Sequence, residues 1–141
     1  MNKATFDDYI ERFNNEDTTA FDRYLAPNMA ILNGGLQLNG IQGMKDHYQQ
    51  RIWPYFIETI HVEQFVSDDE NLAVRMWTNF KAKHDADDTL FGAVQKGDQF
   101  DFRGVIMYRL KNGLFTHIWV AYNSFTNTKI DGSVVNLGLP H

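Results

Sequence analysis

Near the N-terminus the apolar residues recur at helical spacing; from about residue 58 onward they alternate. Phe6, Tyr9, Ile10 and Phe13 share one face of a helix, and the Thr5-Phe6-Asp7-Asp8 run ahead of them fits a capping-box-like start. Asn14-Asn15 closes that helix. Ala20, Phe21, Tyr24 and Leu25 then form a second short stripe after Asp17 or Thr18, stopped by Pro27. Two short helices with one apolar stripe each need a common surface to lie on. Residues 29–33 read as a short strand ended by Gly34-Gly35, with Asn33 on the parity of Met29 and Ile31, and residues 36–40 are placed to pair back. Ile41, Met44, Tyr48, Ile52 and Tyr55 make the stripe of a third helix. Pro54 kinks or ends it, which leaves residues 53–56 as its ragged exit.

Four longer strands follow. Residues 59–66 and 72–84 are joined by a polar turn at 68–71. In the second of these, Leu72, Val74, Met76, Phe80 and Ala82 line one face, and His84 falls on the same parity. Arg75, Asn79, Lys81 and Lys83 line the other face, with Trp77 among them. A Trp among charges implies a covered second surface, most simply a partner subunit. Residues 97–125 hold two long runs around Lys111-Asn112-Gly113, and Asn-Gly between such runs is a hairpin signal because both residues tolerate positive φ. Strands longer than the usual 5–6 residues or so curve, and a curved sheet can wrap a cavity. The stretch 85–97 has no clear period and carries an apolar tip, Leu90-Phe91, which suits a lid over a cavity mouth. The tail, 127–141, is placed to add an edge strand around Ser133-Val134-Val135.

Helices followed by a mostly antiparallel sheet define an α+β class. At 141 residues the length prior gives one domain, 1–141, with 127–141 as a C-terminal extension. Net charge is −5, which disfavours nucleic acid as a partner because that needs a basic stripe. No stretch approaches the roughly 20 apolar residues of a membrane span, and the first residues lack the apolar run of a secretory signal. A cytoplasmic protein without membrane contact is the expectation. There are no cysteines, so thiolate chemistry is absent. Aromatic residues make up 14% of the chain, the kind of side chain that lines an apolar ligand pocket.

Phe100, Phe102, Gly104, Tyr108, Arg109, Gly113 and Trp119, with Asn123 four positions after the Trp, resemble the closing hairpin of SnoaL-like, polyketide cyclase-like proteins of the NTF2-like superfamily. The resemblance covers roughly residues 6–125. It implies an NTF2-like cone, with three N-terminal helices packed on a curved, mostly antiparallel sheet around a small-molecule pocket. Where it implies an aspartate, this chain has Asn123. A second, weaker likeness to steroid isomerases of that superfamily implies a base aspartate near Asn33. Amides at both positions can orient a carbonyl or hydroxyl but cannot exchange its proton.

The histidines show no metal-ligand spacing, and no phosphate loop, dinucleotide fingerprint or nucleophile elbow is present, so neither a metal nor an organic cofactor is expected. The apolar strand faces supply no carboxylate that this pattern places inside. Elimination leaves His84 as the candidate general base, beside the lid. Asn33, Tyr48, Trp119, Asn123 and Phe91 are the candidate ligand contacts; His117 reads as a rim residue, and Asp101 and Arg103 as a structural ion pair. The expected function is binding of a small hydrophobic oxygenated molecule, with cofactor-free isomerisation, cyclisation or dehydration, the last resembling scytalone dehydratase in residue types. The alternative is a non-catalytic binding module. A homodimer packed sheet to sheet is expected from Trp77 and from the apolar outer positions Val105, Met107, Ile118 and Val120.

Overall fold

Helix α1 (Lys3–Asn14) begins earlier than the sequence pattern suggests. Asn2, not Thr5, is the N-cap, and its side-chain oxygen accepts from the Thr5 amide at 2.9 Å. In this computed structural model, which describes residues 1–139, α1 is followed by helix α2 (Thr19–Tyr24), strand β1 (Leu25–Asn33) and strand β2 (Leu36–Asn39). Pro140 and His141, the end of the expected C-terminal extension, lie outside the described residues. Helix α3 (Gly40–His47) runs into a single π-helical turn (Tyr48–Ile52), closed by the Trp53 amide donating to the Tyr48 carbonyl at 2.8 Å. Strands β3 (Phe56–Ser67), β4 (Asn71–Ala82), β5 (Gln99–Lys111), β6 (Leu114–Thr128) and β7 (Val134–Asn136) complete the chain.

The sheet order is β2-β1-β6-β5-β4-β3, with β7 paired to the end of β6. Among the described residues only β1 and β6 run parallel; the other pairs are antiparallel. The helices cover one face of this curved sheet, as the α+β pattern predicts. The β5–β6 turn uses Asn112 and Gly113 at φ 54° and 77°, the positive values a two-residue hairpin turn requires.

Phe6, Tyr9, Ile10 and Phe13 of α1 are buried against the sheet, and Phe6 packs on Phe65, Tyr108 and Phe115. Asn14 fixes the other end of that helix. Its amide donates to the Ile60 carbonyl at 3.0 Å and accepts from the Ile60 amide at 2.8 Å. One side chain thus completes the edge pairing of β3 and holds α1 over its first half.

Strand β6 does not keep one parity. Thr116 and Asn123 are both extra residues in its pairing with β5, so the register shifts twice. Each bulge sends the next residues to the other face. Phe115 points inward; after the first bulge Ile118, Val120 and Tyr122 do; after the second, Phe125 does. Gly104 faces the second bulge. A Cβ there would lie 2.3 Å from the Ala121 carbonyl oxygen and 2.5 Å from the Tyr122 Cα. Only glycine lets β5 and β6 approach closely enough to bend the sheet at this point.

On the outer face Trp77 has local partners. Its indole stacks on His61 at 4.4 Å, lies 4.6 Å below the Arg103 guanidinium and donates to Asp101 at 2.6 Å. Its own chain therefore accounts for its position. Asp101 does not pair with Arg103: it accepts from Trp77 and from Asn79 at 2.9 Å, and Arg103 sits 3.5 Å from Glu63.

Candidate functional site: an apolar cavity with one buried carboxyl

Between the sheet and the helices lies a cavity of about 310 Å³. Its deep wall consists of buried side chains from four elements: Tyr9 of α1, Met44 of α3, Met76 of β4, and Ile106 and Tyr108 of β5. Asn33, Leu36, Leu38 and His47 are half-buried and form one side of the rim. Leu90, exposed, and Phe91, half-buried, form another. The Phe91 ring stacks on Phe100 at 4.6 Å and also meets Phe56, Phe80, Phe102 and Phe125 at 5.2–5.8 Å. The 83–98 connection therefore inserts an aromatic plug into the sheet as well as capping the cavity.

Glu58 is the polar centre of this space. It lies on β3 between Phe56 and Ile60, on the inward parity, and is only 5% exposed. Its Oε2 is buried with no hydrogen-bond partner among the described residues. Among the described residues no lysine or arginine lines the cavity. With no cation to stabilise the charge, burial alone pushes the carboxyl from its ordinary 4.5 up to about 8. At neutral pH it is a carboxylic acid, able to donate one hydrogen bond and accept others.

The neighbouring groups are neutral too. Tyr9, Tyr48 and Tyr108 have their phenols pushed upward by burial, with Glu58 adding to the effect on Tyr9 and Tyr48. All three line the cavity as hydroxyls. His47 is pushed downward, by burial first and by Arg51 second, so its imidazole is neutral at pH 7. His47 ends α3 and Tyr48 opens the π-helical turn, and both line the same cavity; such turns recur at functional sites.

Three of the residues singled out from the sequence line this cavity: Asn33, Tyr48 and Phe91. His84 does not. The strand ends at Ala82, and the Lys83 amide already bonds to the Tyr55 carbonyl, so the apolar parity does not extend to position 84. The imidazole is exposed, with its ring nitrogens 2.9 Å and 3.0 Å from the Asp85 and Pro54 carbonyls. It reaches no cavity-lining group and is no general base for this site. Trp119 and Asn123 are also outside. Trp119 stacks on His117 on the outer face, and Asn123 is the exposed second bulge residue. Reading 115–125 as one unbroken alternation put them inside; the two bulges reverse that. Ile118 and Val120, expected outside, line the cavity.

Strand β3 begins at Phe56, three residues ahead of the start that the sequence pattern suggests, and this takes Glu58 into the strand. The signal was present: Phe56, Glu58, Ile60 and Val62 alternate. A carboxylate at the second position of an apolar alternation marks an inward acid.

The sequence profile of the SnoaL-like domain matches residues 6–118. Among solved structures, the fold is similar to a candidate polyketide cyclase from Xanthomonas campestris pv. campestris, with 20% identity, 80% of this chain and 84% of that one covered, and a TM-score of 0.66. It is also similar to a Δ5-3-ketosteroid isomerase from Mycobacterium sp., with 14% identity, 94% and 95% covered, and a TM-score of 0.66. A computationally designed 17-OHP binder matches at 14% identity, with 91% and 92% covered and a TM-score of 0.64. None of the curated proteins matches the chain. No helix of the described residues is long and apolar enough to cross a membrane. At these identities the structures establish the fold, and the profile match over most of the chain establishes that this protein belongs to the SnoaL-like domain family, within the NTF2-like fold.

Proposed function

We propose that this protein binds a small, uncharged, oxygenated hydrophobic molecule in the cone cavity and transfers protons on it, in a cofactor-free isomerisation, cyclisation or dehydration. The observation that carries this reading is Glu58, a carboxyl with an unpartnered buried oxygen in a mostly apolar cavity whose other polar groups are uncharged. A structural carboxylate would have its hydrogen bonds satisfied. One left open toward a cavity serves a ligand, and a midpoint near neutrality is what proton transfer requires. The ligand is uncharged because an anion would meet a cavity with no lysine or arginine, and an unpaired buried charge is costly. The similar solved structures include a candidate polyketide cyclase and a ketosteroid isomerase, activities of this chemical class.

A binding experiment tests the reading. The neutral naphthyl ketone dye prodan should bind saturably, with its emission shifted to the blue, and Ile106→Trp, which fills the cavity, should abolish the shift. Saturable binding that survives Ile106→Trp in a folded variant, or no binding by the wild type, would overturn it.

The chain also pairs with a second copy, in this proposal, through the outer face of the sheet. Leu32, Trp119, Met107, Ala73 and Val66 stand in cross-strand register there, and all but Ala73 are exposed. A contiguous apolar row of this kind supports an interface.

A further inference from the structure

Glu58 and His47 reach the cavity from different sides. Glu58 belongs to β3, one edge of the sheet. His47 ends α3, which packs on β1 and β2 at the other edge. The curvature of the sheet brings both to one cavity of about 310 Å³, a space that a single two- or three-ring molecule fills. Both groups are open. Glu58 Oε2 has no partner, and the His47 ring, edge-on to Tyr48 at 5.2 Å, makes no side-chain hydrogen bond among the described residues. By contrast, both nitrogens of His84 face carbonyl oxygens and the Nδ1 of His117 meets the Thr116 hydroxyl.

Resting on the cavity reading above, we propose that His47 and Glu58 act as a pair on one ligand, His47 taking a proton from carbon while Glu58 gives one to oxygen. The step balances. A C–H bond beside a ligand carbonyl breaks, and its proton goes to the free imidazole nitrogen. Its electron pair becomes a C=C bond, and the carbonyl π pair moves to oxygen, which takes the Glu58 proton. The products are an enol, an imidazolium and a carboxylate. Return of the imidazolium proton to a different carbon of the conjugated system, with the enol proton going back to Glu58, shifts the double bond and regenerates both residues.

The protonation states suit this assignment. The environments push the two groups apart, the carboxyl up to about 8 and the imidazole down. Between the two midpoints the acid holds its proton and the base is free, the condition for concerted transfer. The phenols of Tyr9 and Tyr48 lie near Glu58, Tyr108 and the uncharged Thr78 and Phe80 line the same cavity, and Arg51 and Tyr48 lie beside His47. The three phenols are pushed above their ordinary range by burial, so they stay protonated while the carboxyl titrates.

A probe reaction tests the pair without the natural substrate. In 5-nitrobenzisoxazole a base removes the ring C–H proton, the C–H electrons close a nitrile, and the N–O bond breaks to give a phenolic oxygen that an acid can protonate. The coloured product is followed by absorbance. The wild type should give a bell-shaped dependence of kcat/KM on pH, rising through a midpoint below the ordinary 6.5 of histidine and falling near about 8. His47→Gln should lower kcat/KM by about 10²-fold or more and remove the acidic limb. Glu58→Gln should remove the basic limb. A wild-type rate no greater than that of His47→Gln overturns the pair, as does a wild-type profile lacking either limb. That last reading needs no variant to fold. Full loss of turnover in Glu58→Gln with His47→Gln unchanged assigns both roles to the carboxyl and overturns the pair. In each of these cases prodan binding is independent: if prodan still binds, the cavity function stands and only the pairing fails.

Discussion

Glu58→Gln should make the protein more stable at alkaline pH, an unusual outcome for a change to a buried polar residue. The folded carboxyl titrates at about 8 against an ordinary 4.5 in the unfolded chain. Between those values the folded state holds a proton that the unfolded state has released, so stability falls as pH rises. The contribution is fully present below pH 4.5 and is lost as pH climbs through about 8. At about 1.4 kcal/mol per pH unit, the interval amounts to roughly 5 kcal/mol. A glutamine in place of Glu58 would have the same shape and no charge to bury, so that slope should vanish. Urea unfolding at pH 5, 7 and 9 measures it. With m of about 1–3 kcal/mol per molar, the wild-type midpoint should drop by more than about 1 M from pH 5 to pH 9 relative to Glu58→Gln. The difference between the two proteins isolates this group from His47 and from the lowered surface carboxylates Asp8, Asp17, Asp68 and Asp131. Parallel pH dependences in the two proteins would refute the reasoning, because they would mean that the carboxyl is ionised, or solvated, in the folded state.

Gly104→Ala should destabilise the protein by about 3 kcal/mol, roughly 10 °C in Tm, because the new Cβ meets backbone that cannot move aside; a thermal melt within about 2 °C of the wild type would show that the β6 bulge yields. Leu90→Ser should weaken prodan binding with little change in stability, since Leu90 is exposed on the rim. Phe91→Ser should also cost about 2 kcal/mol in urea unfolding, because its ring packs on five others; unchanged stability would make it a free lid. Sedimentation at micromolar concentration should show a dimer in the wild type and a monomer in Met107→Asp, and a wild-type monomer would defeat the proposed interface.

The architecture was legible in the sequence because it rests on periods that packing enforces. The α1 stripe, the inward sides of β4 and β5, and the Asn112-Gly113 turn stand where the pattern puts them. The site was only half legible. Asn33 keeps the parity of its strand, Tyr48 the stripe of its helix, and Phe91 is the apolar tip of its connection, and all three line the cavity. Trp119 lies beyond the first bulge and Asn123 is the second, and a bulge changes parity without changing composition. Gly104 hinted at the second bulge, since a glycine inside a strand marks close backbone approach. His84 failed for a different reason: alternation was carried two residues past the point where the chain leaves the sheet. Glu58 was missed because Pro54 drew the helix exit too far forward, and His47 because it falls off the stripe that Met44, Tyr48 and Ile52 define.

The central claim is that the cavity keeps Glu58 as a neutral acid near physiological pH, and NMR titration of the side-chain carboxyl carbons tests it most directly, with Glu58→Gln identifying the resonance. The account predicts one carboxyl titrating at about 8 and absent from the variant. A Glu58 resonance that titrates near the ordinary 4.5 would contradict it.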